Sequence, residues 1–332
     1  MESRTKRRLS VAELDTLIRA ALGAGVLTSN ELADGFANAV WRLGLDDGRE
    51  VVLKVGPPPG LRLLTYERHL LRTEAAVYEL AGPAGLPLPA LLHASFDDPA
   101  LGGDHLILSA LDGVPWNQVT LPPEDEEAVR YELGRHLARL HAIPGTGVFG
   151  YPHAGLTGPT WRDAFGAMTG ALLGDAVHYA TPLPAAVPEI AALIETASPA
   201  LDEVVSPSLV HFDVWPGNVF LTRGPGAGSG RIQALIDHER AFWGDPLADF
   251  VTPTIFEEIR DDDPLVAGYL DAGGTLELTE AARTRVALYR VYLYLILLVE
   301  NGPRQYPEES YARIRDLATR SLERSLADLR DT

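Results

Sequence analysis

Cysteine is absent from all 332 residues, which excludes disulfides, thiolate metal sites and cysteine nucleophiles and agrees with a reducing cytoplasm. An excess of positive charge is also missing. The formal net charge is −18, so a phosphate backbone is not expected as a partner, whereas a cationic substrate is permitted and solubility is assured. Long apolar runs are missing as well. The longest, Val291 to Val299, is bounded by Arg290 and Glu300 and is too short to span a bilayer; it predicts a buried helix and no membrane partner. Arg4, Lys6, Arg7 and Arg8 at the N-terminus are followed by no apolar stretch, which predicts a disordered basic tail rather than a secretory signal. Neither an HExxH pattern, nor a Cys/His cluster, nor a G-x-S-x-G elbow occurs, which weighs against zinc enzymes and α/β-hydrolases. There is no internal repeat.

What is present is an ordinary globular composition, 46% hydrophobic and 22% charged, at a length where a single core usually divides in two. Ser10 and Glu13 form a capping-box pattern ahead of Leu14, Leu17, Ile18 and Leu22 at helical spacing. Alternating Trp41, Leu43 and Leu45, the turn pair Asp47-Gly48 and the β-branched stretch Glu50 to Val55 predict a hairpin. After the break at Pro57 to Gly60, a long helix is expected over Leu63 to Leu80, stopped by Gly82-Pro83. His105 to Ala110 reads as a strand, and Val129, Leu133, Leu137 and Leu140 as one face of a helix ending near His141. Strands are then expected at Ser208 to Asp213, Val219 to Leu221 and Arg231 to Asp237, with helices after Pro246. The order predicts an α+β chain in two lobes: a β-rich N-terminal lobe over 1–110 and a helical C-terminal lobe over 111–332.

The strongest chemical signal is His211-Phe212-Asp213-Val214-Trp215-Pro216-Gly217-Asn218, followed by Ile236-Asp237. Mg²⁺ takes oxygen ligands from one or two carboxylates or amides, together with phosphate and water. Asn218 and Asp237 supply such oxygens, leaving Asp213 to accept a hydrogen bond from an attacking hydroxyl. Taken singly these are ordinary turn residues; as a set at strand ends they are hard to explain so. Lys54, amid Val51, Val52, Leu53 and Val55, requires either solvent, as an exposed edge residue, or an anionic partner in a phosphate cleft. Glu74 and Glu67 both lie on the apolar face of the expected helix, and spacing does not choose between them as that partner. Gly35 sits in a turn whose amides could cover phosphates. Asp245-Pro246 is a helix start, with Asp249 structural one turn later, and His141 packs or caps.

These residues resemble the aminoglycoside phosphotransferase-like kinases, distant relatives of protein kinases, from about Leu32 to Phe250. The most specific features are His211-Phe212-Asp213 with Asn218, and Ile236-Asp237 followed by Gly244-Asp245-Pro246 and Asp249. The resemblance implies a protein-kinase-like fold, ATP or GTP as co-substrate with Mg²⁺, Asp213 as base, and Asn218 and Asp237 as metal ligands. It implies that Gly35 and Lys54 meet the phosphates, that Glu74 rather than Glu67 holds Lys54, and that a hinge at Leu108 to Leu111, including Ser109 and Leu111, carries the base. Glu239 and Trp243 would face the acceptor. His238 stands where many relatives have tryptophan, so different contacts are expected at the substrate mouth. The family spans antibiotic kinases acting on aminoglycosides, peptides and nucleosides, and metabolite kinases acting on choline, homoserine or fructosamines. Cytoplasmic phosphorylation of an antibiotic is expected, a metabolite kinase or a nucleotide-binding pseudokinase being the alternatives. The acidic stretch Glu257 to Asp263 is either a solvated helix end or an attractor for a polycation.

Overall fold

The structure is a computed structural model that describes residues 3–32, 38–99, 101–145, 147–223, 230–257, 260 and 262–331. The expected turn at Gly35 therefore lies outside the described residues, as do Glu258, Ile259 and Asp261 of the acidic stretch.

The N-terminal part is an antiparallel sheet with strand order β1-β2-β3-β5-β4: β1 (Val26–Glu31), β2 (Ala39–Leu45), β3 (Glu50–Val55), β4 (Leu91–Asp98) and β5 (Gly103–Ser109). Helix α1 (Val11–Leu22) starts at the Ser10/Glu13 capping box. It lays Leu14, Leu17 and Ile18 on Trp41, Leu43, Val51, Leu53 and Val55, each buried side chain adding about 1.5–3 kcal/mol. Because side chains alternate along β3, the same register turns Lys54 to the other face, where helix α2 (Leu70–Ala81) packs Leu71 and Ala75 on Leu106.

Two expectations are corrected here. The helix predicted over Leu63 to Leu80 begins only at Leu70, after His69 at φ 60°. Leu64 and Tyr66 leave the helical path to enter the larger core, and the Asp175 carboxylate accepts from the Thr65 backbone N–H (2.6 Å) and hydroxyl (3.0 Å). The basic N-terminus is docked rather than free. Thr5 is buried, and the Arg4 N–H donates to the Arg304 carbonyl at 3.0 Å.

The remainder comprises β6 (Val114–Pro115), α3 (Pro123–His141), β7 (Phe149–Tyr151), β8 (Leu156–Gly158), α4 (Trp161–His178), α5 (Val187–Ala197), β9 (Ser208–Val210), β10 (Val219–Leu221), β11 (Ile232–Leu235), β12 (Phe242–Gly244), α6 (Pro264–Asp271), α7 (Glu280–Val299), α8 (Asn301–Arg304) and α9 (Glu308–Arg330). The apolar run Val291 to Val299 is the buried end of α7, and no helix among the described residues is long and apolar enough to cross a membrane. Helices α3 and α6 cross at two glycines. A Cβ on Gly134 would lie 2.0 Å from the Leu265 carbonyl oxygen, and one on Gly268 1.9 Å from that of Tyr131. Leu64, Tyr66, Leu70, Val77, Ala81 and Leu86 precede Leu111 yet belong to this larger core, so the chain stitches the two parts together well before β6.

Small strands carry the loops that matter. β12 pairs with β9, setting Phe242 opposite Val210 and Gly244 opposite Ser208. β10 pairs with β11, setting Val219 opposite Leu235.

Candidate active site

The loop leaving β9 is held from beneath by one carboxylate. Asp249 accepts from the His211 N–H (2.9 Å) and the Phe212 N–H (2.6 Å), and lies 2.9 Å from His141 Nε2, whose Nδ1 is 3.0 Å from the Tyr269 hydroxyl. Phe212 takes φ 58°, a conformation that non-glycine residues hold only where the surroundings impose it. Thr252 accepts from the Val214 N–H at 3.0 Å. Asp249 and His141 thus act on the loop, as structural members of it, without reaching the reacting groups themselves.

Asp213 then emerges with its side chain 17% exposed. One carboxylate oxygen accepts from Asn218 Nδ2 at 3.2 Å, and the same amide nitrogen donates to the Asp213 carbonyl at 2.8 Å. This arrangement leaves the Asn218 amide oxygen pointing elsewhere. The Ile236 N–H donates to the Asn218 carbonyl at 3.0 Å, which puts Asp237 beside Asn218 at the end of the β10–β11 hairpin. Asp237 adopts φ 65°, ψ 55°, and its side chain is 32% exposed.

From the sheet, Lys54 Nζ reaches Asp237 Oδ1 at 2.7 Å and Glu74 Oε2 at 2.5 Å. Tyr78 holds the other Glu74 oxygen at 2.9 Å. Glu67 is elsewhere: it pairs with Arg304 at 2.6 Å. Burial opposes the Lys54 charge, but Asp237, Glu74 and Glu239 outweigh it and raise its pKa. Burial likewise pushes Asp237 up, yet Lys54 pulls further and holds it below the usual carboxylate range. Burial raises Glu74, with Lys54 opposing. Asp213 is raised by burial, against Arg240.

The two residues expected at the acceptor, Glu239 and Trp243, are both buried. Glu239 is buried and faces inward: Asn38 donates to it, and its carboxylate oxygen lies with those of Glu74 and Asp237 within 4.8 Å of one another. Burial and the Asp237 charge lift its pKa well above the usual range. Trp243 is buried within β12, opposite Gly150 and Leu209. His238 is also fully buried, edge-on to Tyr78 at 5.4 Å and 4.3 Å from the ring of His211; it packs behind Asp237 instead of lining a mouth.

At the segment expected to be the hinge, the Ser109 hydroxyl accepts from the Ala90 N–H at 2.9 Å, and the Leu111 carbonyl accepts from Arg42 at 3.0 Å. Both groups are committed to holding the segment.

Sequence reasoning did not single out Arg240 or Glu300. Arg240 Nη1 is 3.4 Å from Asp213 Oδ1 and Arg240 Nη2 is 2.9 Å from Glu300 Oε2. The only signal was a basic residue three positions after Asp237. A cavity of about 730 Å³, lined by Ser208, Asp245, Phe250, Tyr269 and Arg285 among others, opens at the far end of β9 and β12 from Asp213. Charge geometry, and not cavity size, identifies the site.

A sequence profile described as the phosphotransferase enzyme family matches residues 28–289. Mouse acyl-CoA dehydrogenase family member 10 is 21% identical over 273 residues, covering 78% of this chain and 23% of that protein; the chain thus spans under a quarter of its relative's length. Among solved structures, a protein designated fructosamine-3-kinase from Thermobifida fusca YX-ER1 superposes with TM-score 0.63 at 20% identity, covering 94% of this chain and 100% of the other. A thermostable mutant of aminoglycoside phosphotransferase APH(4)-Ia, in ternary complex with AMP-PNP and hygromycin B, gives 0.61 at 18% identity over 95% and 98%. Macrolide 2'-phosphotransferase MphH from Brachybacterium faecium gives 0.59 at 19% over 93% and 97%. At these identities the likeness is one of fold.

Proposed function

The chain belongs to the phosphotransferase enzyme family, and from that premise we propose that it moves the γ-phosphoryl group of ATP or GTP onto a hydroxyl of an antibiotic, of aminoglycoside, peptide or nucleoside type, and so protects its host. The observation that carries this reading is the convergence of Asp213, Asn218 and Asp237 at one hairpin end, opposite the Lys54–Glu74 pair. In it, Asp213 accepts the hydrogen bond of the acceptor hydroxyl and turns its oxygen toward the phosphorus for in-line attack. Lys54, held by Glu74, meets the α- and β-phosphates. The Asp237 carboxylate and the spare amide oxygen of Asn218 are hard donors that suit Mg²⁺. When bound, that ion neutralises charge on the phosphates. The nucleotide base lies along Leu108 to Leu111, and the reaction runs in the cytoplasm, where nucleoside triphosphates are available.

One observation favours a second reading. Arg240 puts a guanidinium 3.4 Å from Asp213, and a cation beside the base is a poor neighbour for a cluster of ammonium groups. It favours a small metabolite, of the choline, homoserine or fructosamine type carrying at most one such charge, over a polycation. A substrate panel decides. The purified chain is incubated with Mg²⁺, ATP or GTP and each candidate, and phosphate addition is read by mass spectrometry. Phosphorylation of an antibiotic upholds the first reading; phosphorylation of a metabolite with every antibiotic untouched replaces it with the second. Nucleotide binding that ignores Mg²⁺, with no acceptor modified, removes both.

A further inference from the structure

A line of alternating buried charges runs behind the catalytic loop. Glu67, in the segment between β3 and α2, pairs with Arg304 at 2.6 Å. Arg304 Nη1 reaches Glu300 Oε2 at 2.7 Å, and Arg240 Nη2 reaches that same oxygen at 2.9 Å. Arg240 Nη1 then faces Asp213 Oδ1 at 3.4 Å. Glu67, Arg304, Glu300 and Arg240 are each buried. A guanidinium is a rigid planar fork, so anchoring one arm on Glu300 fixes the direction of the other.

The two carboxylate oxygens of Asp213 consequently have different neighbours: Oδ2 has the Asn218 amide, Oδ1 has Arg240. Each oxygen of an ionised carboxylate offers about two acceptor positions, so one position on each stays open for an incoming hydroxyl while the plane of the group is set from both sides. We propose that Arg240 is a positioning residue that holds the Asp213 carboxylate in its reactive orientation, with Glu300 as the anchor that aims it. The proposal rests on the reading of Asp213 as the base. It gives the ladder a use in the reaction: contacts among the C-terminal helices and the 64–67 segment fix the angle at which the base meets its acceptor.

The test compares Arg240→Gln, Arg240→Lys, Glu300→Gln and Asp213→Asn with the unaltered chain. Phosphate release from Mg·ATP or Mg·GTP, with water as acceptor, is measured alongside nucleotide affinity and thermal unfolding. A small misplacement of a reacting group costs about 10²-fold in rate. Arg240→Gln should lose about that much kcat while nucleotide affinity stays within about threefold, and Arg240→Lys should recover part of it. Glu300→Gln should lose less kcat than Arg240→Gln, again with nucleotide affinity kept, while its unfolding temperature falls because two buried guanidinium groups lose their shared carboxylate. It decides the matter if Arg240→Gln does not fold. A merely structural role predicts that kcat, affinity and unfolding temperature fall together, with no recovery in Arg240→Lys, and that pattern overturns the proposal. So does unaltered kcat in folded Arg240→Gln or, failing that variant, in Glu300→Gln, while Asp213→Asn is inactive. If Asp213→Asn itself turns over like the unaltered chain, the base assignment fails and this inference falls with it.

Discussion

Around Lys54 a single ammonium group faces the carboxylates of Glu74, Asp237 and Glu239, whereas around Glu300 two guanidinium groups are shared among Glu67, Glu300 and Asp213. Both clusters are built mainly from buried side chains, and removing one partner of a buried pair leaves the other uncompensated. The first is short of positive charge, with three carboxylates around one ammonium group; burial raises the pKa of Glu74 and Glu239 there, as it raises Asp213 and Glu300 in the second. The second is close to balanced. A balanced cluster has its partners within the fold and can serve to orient, while an unbalanced one next to a half-open aspartate is, on the proposed function, the one that receives a cation from outside.

The largest effect expected from testing this contrast is catalytic. Asp213→Asn should lower turnover by about 10²–10⁴-fold and leave nucleotide affinity and unfolding temperature near those of the unaltered chain, as read by steady-state kinetics and calorimetry. Next come stability effects that separate the clusters. Arg304→Met breaks the balanced one and should cost about 3–5 kcal/mol whether or not Mg²⁺ is present. Lys54→Met breaks the unbalanced one, and its loss should be substantially recovered by Mg²⁺, because a divalent ion can stand in for the missing ammonium. Equal recovery in both variants, by denaturant unfolding, would erase the distinction. The smallest effect is on pH dependence. Burial raises Asp213 above the 3.8 of an ordinary aspartate, and the base works ionised. Turnover should therefore fall as pH drops through an ionisation above that value, and a pH–rate profile flat down to it would contradict the assignment.

Much of the site was legible because its signals are local. Asp213 and Asn218 sit five residues apart in one loop, with Asp237 at the end of the adjoining strand, and the hairpin registers of the first strands follow from alternation and an Asp-Gly turn. Glu74 and Glu67 were indistinguishable by spacing, since both lie among leucines on one helical stripe. What separates them is the break at His69, which comes from Leu64 and Tyr66 entering the larger core and from Asp175, more than a hundred residues downstream, bonding to Thr65. The Arg240–Glu300–Arg304 ladder was illegible for the same reason: Glu300 and Arg304 are four residues apart, but Arg240 and Glu67 reach them from distant segments. Glu239 and Trp243 were placed at an acceptor face by likeness to relatives, but the short strand β12 turns Trp243 into the core, and Asn38 draws Glu239 toward the sheet. The docked N-terminus buries Thr5 and bonds the Arg4 N–H to the Arg304 carbonyl, contacts that composition does not disclose.

Thermal unfolding with ATP or GTP, run with and without Mg²⁺ on the unaltered chain and on Asp237→Asn, tests most directly whether the Lys54 cluster is a receptor for a metal-bound triphosphate. Ligand at about a hundred times its Kd stabilises the folded state by about 2.7 kcal/mol. The expected result is a rise in unfolding temperature that needs nucleotide and Mg²⁺ together and vanishes in Asp237→Asn. The same rise without Mg²⁺, or its survival in Asp237→Asn, would contradict it.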